Sequence, residues 1–102
     1  MEFSELAETD ARLRRQFVST ELEACRTAVE MGEFELNSGA VGTAVKELAN
    51  ADKIVQVIRR FLPGVGRKHK AELTEELAQM LATIDKLRSQ LRKLRALPDA
   101  AQ

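Results

Sequence analysis

The chain has 102 residues, 44% apolar and 31% charged, with four Phe, two Pro and no Trp or Tyr, enough for one domain around a modest core of aliphatic side chains. Sixteen basic and sixteen acidic residues cancel, so net charge gives no reason to expect a nucleic-acid partner and only local charge can argue for one. The single cysteine, Cys25, excludes an internal disulfide framework, and the single histidine, His69, excludes metal sites built on several histidines.

The first helix is expected over about residues 4–37. Ser4 can cap it, and Glu5 and Glu8 suit the positive end of the helix dipole. Val18, Leu22, Cys25, Val29, Gly32 and Leu36 recur at spacings of 4, 3, 4, 3 and 4, which puts them on one side of a helix that must bury. Phe17, Ala24, Ala28 and Met31 are expected to widen that face. Asn37-Ser38-Gly39 then marks a turn.

The second helix is expected over about residues 40–62, with Val41, Ala44, Leu48, Ala51, Val55, Ile58 and Leu62 in a heptad stripe. Val45, Ile54, Val57 and Phe61 broaden it, so this helix reads as the central one, covered on more than one side. Gly32, Gly39, Ala44 and Ala51 place small residues across the hairpin. On those residues the segment from about 21 to 55 resembles a tetratricopeptide-type helical hairpin, whose small residues recur at comparable intervals. The aromatic residues and closing proline of that family are absent, and there is no second copy of the period.

Leu62-Pro63-Gly64-Val65-Gly66 breaks the chain, because Pro63 disfavours helical geometry before it and the glycines permit a reversal. These five residues resemble the turn of helix-hairpin-helix DNA-binding motifs. The resemblance implies that Gly64 and Gly66 offer backbone amides to a phosphate, with Arg67, Lys68 and Lys70 adding charge. The small residue usual four positions after the second glycine is replaced by Lys70.

The third helix is expected over about residues 67–97, ending before Pro98, with a tail over 98–102. Leu73, Leu77, Met80, Ile84, Leu87, Leu91 and Leu94 follow an uninterrupted heptad rhythm. Lys86, Arg88, Arg92, Lys93 and Arg95 lie off that stripe. The acidic Glu21, Glu23, Glu30, Glu33 and Glu35 of the first helix are expected to meet them where the two helix ends come together.

Short turns make neighbouring helices antiparallel, so the fold expected is all-α, a single-domain three-helix bundle of long helices that dimerises into a larger one. At 1.5 Å per residue the helices reach roughly 50, 35 and 45 Å. The short middle helix is expected to leave Phe3 and Leu6 uncovered at one end and Leu91 and Leu94 at the other, forming a partner interface. No catalytic residue, cofactor or metal site is indicated: Cys25 is in phase with the core, and the adjacent Glu75 and Glu76 point in different directions. The acidic Met-Glu-Phe-Ser-Glu start resembles no signal peptide, no apolar run reaches the length of a membrane span, and a cytoplasmic setting is expected. Function is therefore read as a non-catalytic protein–protein interaction or assembly module, most simply a homodimer. The second reading is a small nucleic-acid-binding protein using the turn from Gly64 to Lys70.

Overall fold

Glycine 39 sets the first reversal of the chain. In the computed structural model, which describes the backbone of residues 3–96 and the side chains of residues 9–95, Gly39 has φ +86°, a region that L side chains rarely adopt. Its N–H donates to the Leu36 carbonyl at 3.2 Å, and the Ala40 N–H donates to the Glu35 carbonyl at 2.8 Å. These are the paired bonds of a Schellman motif. They close helix α1 (Phe3–Asn37) and turn the chain into α2 (Val41–Phe61) within three residues.

The second reversal is built from proline and a buried valine. Pro63 stands in a short 3-10 turn, Leu62–Gly64, closed by the Val65 N–H donating to the Leu62 carbonyl at 3.0 Å. Val65 is extended and buried, so it plugs the end of the bundle. The Gly66 carbonyl then accepts from the N–H groups of His69 and Lys70, both at 3.1 Å, and α3 (Arg67–Ala96) begins. The fold is all-α, with these bounds within one residue of those expected.

α1 and α2 form the intimate pair, and α3 lies along one side of their hairpin, closer to α1 than to α2. The core is made by the three stripes: Val18, Leu22, Cys25, Val29 and Leu36 from α1; Ala44, Leu48, Ala51, Val55 and Ile58 from α2; Leu73, Leu77, Met80, Ile84, Leu87 and Leu91 from α3. No charged or polar residue is buried among the described ones. Hydrophobic burial therefore holds the bundle together, at about 1.5–3 kcal/mol for each large side chain removed from water. The result is a rod of 71 × 18 × 16 Å with a radius of gyration of 17.6 Å, against about 13 Å for a round domain of this length.

Three expectations are corrected. Leu91 is only 6% exposed; α2 starts high enough for Val45 and Leu48 to border it, so of Leu91 and Leu94 just Leu94 is left open, at 45%. Phe17, Ala24 and Met31 do not widen the buried face of α1; they are exposed, and only Ala28 turns inward. α3 occupies one side of the hairpin, and nothing within the described residues covers the other. Nor do the acidic residues of α1 meet the basic end of α3. Arg88 pairs with Asp52 of α2, and Glu30, Glu33 and Glu35 make no ion pair among the described residues.

Candidate functional site

Phe34 is 71% exposed and Leu13 57%, with Phe17 and Met31 also open. All four lie on α1, on the side of the hairpin away from α3. Phe17 is anchored by Phe61, ring edge to face with centroids 4.9 Å apart. Arg14 lies 5.9 Å from the centre of the same Phe61 ring, a cation–π contact, and its Nε donates to Asp10 at 3.0 Å. Ile54 and Phe61 of α2 are half-buried and pack against the core beside this face. Large apolar side chains gathered on one face of a small monomer mark a contact surface more often than scattered ones do.

The expected interface residues divide. Leu94 is exposed near the end of α1, in a shallow hollow with Leu36, Asn37, Gln90 and Lys93. Leu91 is core. The side chains of Phe3 and Leu6 lie outside the described residues.

A second region gathers at the start of α3. Ala11, Arg12 and Arg15 of α1 face Gly66, Lys68 and His69 across a depression of about 310 Å³. Arg15 Nη1 lies 2.6 Å from His69 Nε2, an arginine donor facing a ring nitrogen, and His69 Nδ1 faces Glu72 at 3.8 Å. Of the residues expected to hold an anion, Gly66 and Lys68 line this depression. Gly64 does not: a Cβ there would stand 2.6 Å from Arg14 Nη1, so its open side is filled by an arginine, and the glycine serves that packing. Arg67 and Lys70 are exposed beside the depression without lining it. The sequence reading missed Arg12 and Arg15, because only the fold brings the first helix to this turn.

Cys25 is enclosed, its thiol 3.9 Å from the Ala51 carbonyl. Burial pushes its pKa above the ordinary 9.0, opposed by the positive charge of Arg26. Such a thiol stays protonated and makes a poor nucleophile. Glu76 approaches Arg26 at 3.9 Å and links α1 to α3. Among the described residues no three His, Cys, Asp or Glu side chains gather into a metal-binding group, and no helix is long and apolar enough to cross a membrane.

The chain matches no protein-family model, no curated protein and no solved structure. The tetratricopeptide and helix-hairpin-helix resemblances rest on their own residues. A Cβ on Gly32 would meet Glu47 and Leu48 at an ordinary 3.6 Å, so the close approach of α1 and α2 does not require glycine there.

Proposed function

We propose that this chain is a non-catalytic helical module that binds another protein surface. The observation that supports the reading is the exposed apolar face of α1. Leaving Leu13, Phe17, Met31 and Phe34 in water serves no purpose within the monomer, and a partner helix or helix pair would cover them. A cytoplasmic setting goes with this reading, since the chain carries a single cysteine and no disulfide of its own. The reading is tested in cells with a photo-crosslinking amino acid placed at Phe34, and at the exposed Gln56 of α2 as the control. Adducts from position 34 and not from 56 are expected. Absence of adducts from both would contradict the reading.

A second reading is favoured by one observation. Arg12 and Arg15 join Lys68 and His69 around the start of α3, where free amides and the helix dipole favour anions. Binding of a nucleic-acid backbone there would weaken steeply with salt. Retention of a labelled duplex or single strand at low salt, lost on Arg12→Ala/Lys68→Ala, would support it; absence of binding at low salt would remove it.

A further inference from the structure

The exposed apolar side chains of α1 form an ordered row. Leu13, Phe17, Thr20, Ala24, Thr27, Met31 and Phe34 succeed one another at spacings of 4, 3, 4, 3, 4 and 3, the repeat that holds residues to one side of a helix. All seven are exposed, and the row runs about 32 Å. By size it reads large, large, Thr, Ala, Thr, large, large, the same from either end.

We propose that this face binds the same face of a second copy of the chain, antiparallel, with the twofold axis passing beside Ala24. The proposal rests on the interaction reading above and names its partner. A twofold contact must be complementary to itself, and the row meets that demand. It sets Leu13 against Phe34, Phe17 against Met31, Thr20 against Thr27, and Ala24 against its own copy. The small residues at the centre let the two helices approach closely, and the large ones close the seam at both ends.

The polar groups along the row are already satisfied. Thr20 Oγ1 donates to the Gln16 carbonyl at 3.0 Å, and Thr27 Oγ1 donates to the Glu23 carbonyl at 3.1 Å. Both threonines can be covered without stranding a hydroxyl. Charge agrees with the orientation. Residues 9–16 of α1 hold three arginines against one aspartate and residues 30–36 hold three glutamates, so antiparallel docking brings the basic end of one helix toward the acidic end of the other, whereas parallel docking brings like ends together. Glu23 meets its own copy near the axis, and each is neutralised by Arg26 at 2.7 Å.

The area is adequate for a modest dimer. The four large side chains offer roughly 400 Å² per copy. With the central residues and flanking stems, two copies bury roughly 1,000 Å², near the lower bound of a specific interface.

The test uses the full chain in sedimentation equilibrium together with disulfide trapping. A reversible dimer is expected, weakened at least about 100-fold by Phe34→Glu, a change repeated in both halves of the contact, with helicity and thermal midpoint of the monomer unchanged. Ala24→Cys is expected to oxidise to a 24–24 crosslink, and a mixture of Gln16→Cys with Glu30→Cys to give 16–30 crosslinks in preference to 16–16. Crosslinking of 16 to 16 would overturn the antiparallel arrangement. A dimer that survives Phe34→Glu and dissociates on Leu94→Glu would overturn this surface while leaving an interaction module. A monomer at every concentration would overturn the second copy as partner; photo-adducts from position 34 to a different protein would then preserve the broader reading, and their absence would remove both.

Discussion

Gly39, Cys25 and Arg14 show how single side chains carry separate parts of this structure. Gly39→Ala places a Cβ on a residue at φ +86°, so a loss of about 1 kcal/mol is expected, read as a lower midpoint in denaturant with unchanged slope. Cys25 ties stability to alkaline pH. Its folded pKa lies above the ordinary 9.0 because the thiol is buried, so the native chain holds its proton more tightly than the unfolded one. That contribution is fully present below 9.0 and is lost as pH rises through the folded value. Stability is expected to decline above pH 9, and Cys25→Ala is expected to flatten the decline in urea titrations across that range. Arg14 explains Gly64: the guanidinium that bridges Asp10 and Phe61 fills the space where a side chain on that glycine would stand.

At the scale of the helices, the two sides of α1 should respond differently to substitution. Ile58 and Leu87, almost fully buried, are expected to cost 2–5 kcal/mol each on replacement by Ala, the range for large-to-small changes in a core. Phe34→Ala is expected to leave monomer stability within about 0.5 kcal/mol. Thermal denaturation of the three variants decides this, and a large loss at Phe34 would mean that its side chain is covered within the chain. The helices and their buried faces were legible in the sequence because heptad spacing reports a face directly: Val18 to Leu36, Ala44 to Ile58 and Leu73 to Leu91 are the core. Which neighbour covers a face is a different matter. α1 carries two apolar rows, and spacing alone could not say that α3 takes one side of the hairpin and leaves Phe17, Met31 and Phe34 open. The full 4-3 rhythm from Leu13 to Phe34 was the available signal. It is interrupted in composition by Thr20, Ala24 and Thr27, which hides it from a search for large apolar residues. Leu91 failed as an interface residue for a related reason, since helix lengths give overhangs only once the register of the turns is known.

At the scale of the whole molecule, a rod 71 Å long and 16–18 Å thick offers much lateral surface for little interior. Adding helices alongside is the natural way for such a shape to bury more. Two hairpins joined along α1 would gather the exposed phenylalanines into a second apolar seam parallel to the first, with the basic depression at Arg12, Arg15 and Lys68 repeated at the two distant ends of the assembly. Sedimentation equilibrium of the full chain and of its Phe34→Glu variant is the most direct measurement of this account. It predicts a concentration-dependent dimer for the parent chain and a folded monomer for the variant under the same conditions; a parent chain that stays monomeric, or a variant that associates as strongly as the parent, would contradict it.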